Sequence, residues 1–224
     1  MGRRAVWVCC GFAVAFALLA WAVVGRHGGP YGFDSGPHGW AVRHRPAGAV
    51  DAARVVTDGG TGAYPYVAAA LGGWLGAVAG GSVQRRPALR DWQVVAAALA
   101  VLLAGQILRT LLAYALHRAR PPAADFATHV HGYSYPSGHT ASSAIAAGLL
   151  AWGALRAWPG GRGRAVAAVC AVAALAVGFT RVYLGVHWPS DVLGGWLFAG
   201  FWLTALLPVL ASYADWGGRR RVRP

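Results

Sequence analysis

A few polar side chains stand where long apolar runs begin and end, in a chain that is 57% hydrophobic and 12% charged. Arg120 closes the stretch "HRAR". Ser137, Gly138 and His139 lie in "YSYPSGHT", and Arg181, His187 and Asp191 in "TRVYLGVHWPSD". Together they suit a phosphate. Two guanidiniums can each offer paired donors to phosphate oxygens and stay charged at any working pH. Ser137 offers a hydroxyl, and Gly138 lets backbone come close without a side chain in the way. If a helix starts there, its free N–H groups and positive end face the anion.

The other three residues divide into reactive roles. A neutral His187 imidazole can attack phosphorus while Asp191 holds its other nitrogen and steadies the imidazolium that forms. His139 can protonate the departing oxygen. No metal or cofactor is required, because the arginines and the helix end supply the positive charge. Taken singly, each residue has a plainer reading: a snorkelling arginine, a hydrogen-bonded edge histidine, an aspartate at a helix start. Their joint occurrence carries the argument.

The elements that must position these residues are membrane helices. Six apolar segments, at roughly 5–24, 62–80, 92–115, 140–158, 165–180 and 191–211, approach the ~20 residues needed to span a bilayer. The expectation is an all-α, polytopic bundle of about six transmembrane helices in the cell membrane. The fifth segment is short and can extend through "RVYLGV". The first is too long for the apolar part of a typical signal peptide and reads as a retained helix. Between it and the second, Trp40–Val56 is mildly amphipathic and suits a helix on the membrane surface. Residues 1–60 thus read as a first helix and outer loop, 61–214 as the core, and 215–224 as a basic cytoplasmic tail.

All twenty Lys and Arg positions are arginine, and all seven acidic positions are aspartate. With the N-terminus inside, the segments "MGRR", "SVQRRPALRD", "RAWPGGRGR" and "WGGRRRVRP" hold twelve arginines against seven outside. That bias predicts N-in and C-in and turns the polar cluster outward. The same placement in short loops argues against a nucleic-acid partner. Without Glu or Lys, an HExxH metalloprotease, a Walker A lysine and a Schiff base are excluded. Cys9, Cys10 and Cys170 lie in apolar runs without metal-ligand spacing. His129 and His131 form an HxH pair in a Gly-flanked loop, read as solvated rather than as a metal site.

Arg120-Pro121, then Pro136-Ser137-Gly138-His139, then Arg181-x5-His187-x3-Asp191 resemble the three motifs of the type 2 phosphatidic acid phosphatase (PAP2) family. Its superfamily also includes haloperoxidases and bacterial acid phosphatases. The resemblance spans roughly residues 60–211 and implies six helices with an outer-face site. It implies a phosphohistidine nucleophile at His187, its partner at Asp191, an acid at His139, and phosphate binders at Arg120, Ser137, Gly138 and Arg181. The substrate it implies is a membrane lipid phosphate or pyrophosphate: phosphatidic acid, phosphatidylglycerol phosphate or an undecaprenyl type. Haloperoxidase chemistry is disfavoured because those relatives are soluble. A non-catalytic lipid-binding or lipid-moving protein is the alternative of a different class. Two positions depart from the pattern: Thr180 replaces a family Ser, and Ala113 stands where the family has a Lys. Arg109 and Arg118 are both candidates to supply the missing charge. Arg109 shares a helical face with Ala113, but side chains on a helix lean toward its N-terminus, away from the outer site.

Overall fold

The computed structural model describes residues 2–79 and 89–219, which form eight α-helices and one 3-10 turn with no strand among them. Six long helices make the bundle: α1 (Arg3–Gly25), α4 (Tyr64–Val78), α5 (Leu89–Leu116), α6 (Gly138–Ala157), α7 (Gly161–Tyr183) and α8 (Pro189–Arg219). Each corresponds to one of the six apolar segments. Four of them, α1, α5, α7 and α8, are long and apolar enough to cross a membrane. Large side chains such as Trp7, Trp21, Leu111, Val169 and Phe179 point outward. On helices of this length, an apolar exterior is a lipid-facing one.

The core is formed by Ala69 of α4, Val94, Ala98 and Leu102 of α5, Ile145 and Leu149 of α6, and Phe198 of α8. Small residues bring the helices together. A β-carbon at Gly72 would collide with the Leu149 carbonyl, and one at Gly153 with the Gly72 carbonyl, so α4 and α6 cross with backbones touching. Helix α1 leans on α8, with Phe12 over Gly200 and Phe16 between Phe198 and Tyr135, 5.9 Å from each ring.

The segment between α1 and α4 differs from the single surface helix expected over Trp40–Val56. It forms two helices, α2 (Gly32–Arg43) and α3 (Ala47–Asp58). The break falls at Pro46, which has no N–H to donate and disfavours helical backbone at Arg45 before it. Pro46 then serves as N-cap of α3. At the other end of the chain, α8 continues to Arg219 through the first half of the expected tail. The arginines at 85, 86, 220, 221 and 223, which weigh in the orientation argument, lie outside the described residues.

Candidate active site

The polar cluster gathers at one end of the bundle, where α5 and α7 finish and α6 and α8 begin. Two loops are sewn together there by backbone hydrogen bonds: Ser134 N–H to the Arg118 carbonyl at 2.9 Å, Ala127 N–H to Leu184 at 2.9 Å, and Ser137 N–H to Asp191 at 3.0 Å. Two glycines of "DVLGGW" permit the closure. The Tyr135 ring sits against Gly194, and the Ser137 carbonyl lies 3.0 Å from where a Gly195 β-carbon would be. The sequence reading attached no role to this pair.

His187 lies in the five-residue link between α7 and α8 and is 1% exposed. Its Nδ1 is 3.3 Å from Asp191 Oδ2, and its Nε2 is 3.0 Å from Arg120 Nη1. With an acceptor on one side and a cation on the other, the ring carries its proton on Nδ1 and a lone pair on Nε2. The ring is held neutral: burial lowers its pKa from 6.5 to about 3, with Arg120 adding to the effect against the opposing Asp191 hydrogen bond. Asp191 is fully buried in the first turn of α8. Its Oδ2 accepts from Trp188 N–H at 2.8 Å and from the Ser134 hydroxyl in a short hydrogen bond, and its Oδ1 from Arg118 Nη1 at 2.6 Å.

Three further arginines surround this pair. Arg120 is anchored by carbonyls, with Nε to Gly132 at 2.9 Å and Nη2 to His131 at 3.0 Å. Arg181 is 1% exposed; its Nη1 donates to Thr57 Oγ1 of α3 at 2.8 Å, while its buried Nε has no partner among the described residues. An unpartnered buried guanidinium nitrogen is costly unless a ligand completes it. Arg109 donates Nε to the Pro136 carbonyl at 2.7 Å, and its guanidinium lies 3.0 Å from where a Gly138 β-carbon would be. His139, the second residue of α6, has no imidazole hydrogen bond to a described residue; burial, with the charges of Arg181, Arg109 and Arg120 adding to it, lowers its pKa from 6.5 to about 3. Ser137 caps α6 and accepts from Thr140 Oγ1 at 3.0 Å, leaving its own proton free. A phosphate entering here would meet three guanidiniums, a helix N-terminus, a serine hydroxyl and two imidazoles.

All seven residues picked from sequence therefore converge. The rival stand-ins for the missing lysine also separate. Arg118 is wholly buried and committed to Asp34, Ser190 and Asp191. Arg109 faces the cluster, because the 133–138 loop comes within reach of its guanidinium at Pro136 and Gly138. Ala113, one turn beyond Arg109 on α5, is 3% exposed. The His129–His131 pair splits: His129 lines an open hollow with Arg54 and Phe126, while the His131 carbonyl holds Arg120. Among the described residues no three His, Cys, Asp or Glu side chains come together as a metal site.

Residues 94–213, more than half of the chain, match the family model described as the PAP2 superfamily. The chain is a member of the PAP2 superfamily. With its long apolar helices it is a multi-pass membrane protein. Phosphatidylglycerophosphatase B of Bacillus subtilis (strain 168) is 37% identical over 94 residues, which cover 40% of this chain and 45% of that protein. An undecaprenyl-diphosphatase of Sulfolobus acidocaldarius is 41% identical over 75 residues, 33% of this chain and 32% of its own. A lipid A 1-phosphatase of Rhizobium etli is 34% identical over 113 residues, covering 46% and 44%. Each match takes in less than half of the relative's length. The crystal structure of a transmembrane PAP2-type phosphatidylglycerolphosphate phosphatase from Bacillus subtilis superposes with a TM-score of 0.73. It covers 97% of this PAP2 chain and 98% of its own at 24% identity, a likeness of fold that includes α1 to α3.

Proposed function

We propose that this PAP2 protein hydrolyses a phosphate or pyrophosphate from a membrane lipid through a phosphohistidine, with no cofactor. The observation that carries the reading is the ring of guanidiniums around a neutral His187 whose Nε2 lone pair points into it. The Nε2 lone pair forms the N–P bond as the P–O bond to the lipid breaks; the negative charge of the bound phosphate offsets the guanidiniums so that His139 takes up a proton from solvent, and it passes that proton to the departing oxygen. Asp191 steadies the imidazolium on the Nδ1 side. Water then attacks phosphorus, His139 takes back a proton, and the N–P bond breaks to free phosphate. Arg109, Arg120, Arg181, Ser137 and the backbone at Gly138 hold the phosphoryl oxygens throughout, which is the largest single contribution the site offers.

The relatives named above act on phosphatidylglycerophosphate, undecaprenyl diphosphate and lipid A, so the substrate class carried over is a lipid phosphate or diphosphate. The arginine distribution supports an orientation with the site outside, where a headgroup of the outer leaflet would meet it. A cysteine placed within 122–131 then reacts with an impermeant reagent on intact cells; reaction only after permeabilisation would turn the site inward. The reaction itself is tested by phosphate release from purified protein in detergent with EDTA, offered phosphatidic acid, phosphatidylglycerophosphate and undecaprenyl diphosphate separately. Release lost in His187→Ala supports the reading. Absence of release from all three by folded protein would favour a lipid-binding or lipid-moving role.

A further inference from the structure

The ion-pair chain behind His187 ends on a residue outside the stretch that matches the PAP2 family model. Asp34 belongs to α2 and is completely buried. Its Oδ2 accepts from Arg118 Nη2 and from Ser190 Oγ, each at 2.8 Å, and its Oδ1 from Ser190 N–H at 2.8 Å. Oδ2 also takes the Tyr31 N–H at 3.2 Å, which fixes it in the first turn of α2. Arg118 Nη1 reaches the other way, 2.6 Å from both Ser190 Oγ and Asp191 Oδ1. One buried guanidinium is thus shared between two buried carboxylates, and the second of those faces His187.

We propose that Asp34 is a positioning residue for the hydrolytic step: by balancing Arg118, it leaves Asp191 with the negative charge that the His187 imidazolium needs. The inference rests on the phosphatase reading above. The charges decide it. Asp34, Arg118 and Asp191 together carry one net negative charge, and the positive charge that His187 gains as a phosphoimidazolium brings the four groups to zero. Without Asp34, Arg118 and Asp191 cancel one another, and the ring cation forms beside a neutral pair. Because Asp34, Arg118, Asp191 and His187 are all buried, that difference is felt at short range and is little screened. Anchoring α2 does not by itself call for this carboxylate. His38, one turn further along α2, already pairs with Asp125 at 3.0 Å and packs 5.0 Å from the Trp188 ring. A buried ion pair is also a poor source of stability compared with apolar packing of the same size.

The test compares Asp34→Asn with wild type in detergent, with kcat expressed per mole of folded protein. The asparagine retains an acceptor for Ser190 N–H while removing the charge. The expected result is a kcat roughly 10- to 100-fold lower, as for one full charge lost near a buried reacting group. KM and inhibition by inorganic phosphate should stay within about threefold, because Asp34 does not reach the phosphate pocket. The double variant Asp34→Asn/Arg118→Gln restores the single net negative charge and should recover about tenfold of the loss. A kcat within threefold of wild type in folded Asp34→Asn, or a loss that appears in KM alone, overturns the inference. So does a double variant no faster than the single one. If Asp34→Asn does not fold, the double variant is read against wild type: within about tenfold supports the charge balance, and a greater loss overturns it. These outcomes stand apart from failure of the phosphatase reading, in which wild type itself releases no phosphate and the inference falls with it.

Discussion

Arg109 is the residue on which the proposed phosphate pocket differs most from the PAP2 motif pattern, and replacing it gives a measurable prediction. Its guanidinium lies against Gly138 at the start of α6, held by a 2.7 Å bond from Nε to the Pro136 carbonyl. Its terminal nitrogens have no hydrogen bond to a described residue and are offered to the ligand. At an effective dielectric of about 20, a cation ~4 Å from a phosphate oxygen contributes roughly 4 kcal/mol. Arg120 and Arg181 share the same oxygens and repel Arg109, which brings the expected net to about 2–3 kcal/mol, the range of hydrogen bonds to charged groups. Arg109→Gln should therefore lower kcat/KM by roughly 30- to 150-fold. Inhibition by inorganic phosphate should weaken in parallel, since the interaction is with the phosphoryl group itself. Arg109→Lys keeps the charge but not the planar fork, and should lose about tenfold. Adding Ala113→Lys to Arg109→Gln should return part of the loss. The assay is steady-state phosphate release in detergent, with folding checked by melting temperature. A folded Arg109→Gln with kcat/KM and phosphate inhibition within threefold of wild type would refute the reasoning.

Three further outcomes are expected. His139→Ala should abolish turnover in folded protein, because His139 is the group proposed to protonate the leaving oxygen once phosphate is bound; normal activity would remove it from the mechanism. Gly138→Ala puts a methyl 3.0 Å from the Arg109 guanidinium, so kcat/KM should fall about tenfold while the melting temperature changes little, alanine being a better helix residue than glycine. His187 has its folded pKa lowered from 6.5 to about 3, so the unfolded chain binds the extra proton between those values. Its contribution to stability is therefore full above about pH 6.5 and is lost as pH falls toward 3, by up to about 1.4 kcal/mol per pH unit. Melting curves from pH 7 to 4 should drop less steeply for His187→Gln than for wild type, and parallel curves would contradict the buried, neutral ring.

The bundle was legible because all six long helices are apolar runs, four of them of membrane length, and the polar loops that carry the motifs lie together at one end. The site was legible where its members sit in short motifs: Ser137 to His139 and Arg181 to Asp191 each come from one turn between helices. What escaped was everything brought in through space. Asp34 and Arg118 are 84 residues apart, and nothing in "YGFDSGPHGW" distinguishes that aspartate from an ordinary helix-start acid. Thr57 meets Arg181 across 124 residues in the same way. The break between α2 and α3 had a visible cause in Pro46, outweighed by the amphipathic pattern across it. Arg109 and Arg118 stayed equal candidates because the choice is made through space: the Pro136 carbonyl takes the Arg109 Nε at 2.7 Å, and Gly194 and Gly195 of α8 let the 133–138 loop sit close.

The central claim is a covalent phosphate on His187, and trapping it is the most direct test. Substrate carrying labelled phosphorus on the scissile phosphate would be mixed with the protein and quenched in base within milliseconds. The label should remain on protein, be released by acid as a phosphoramidate is, and map to the peptide containing His187. It should be absent from His187→Ala and accumulate when water attack is slowed. Turnover without any protein-bound label, or a base-stable label on another residue, would contradict the account.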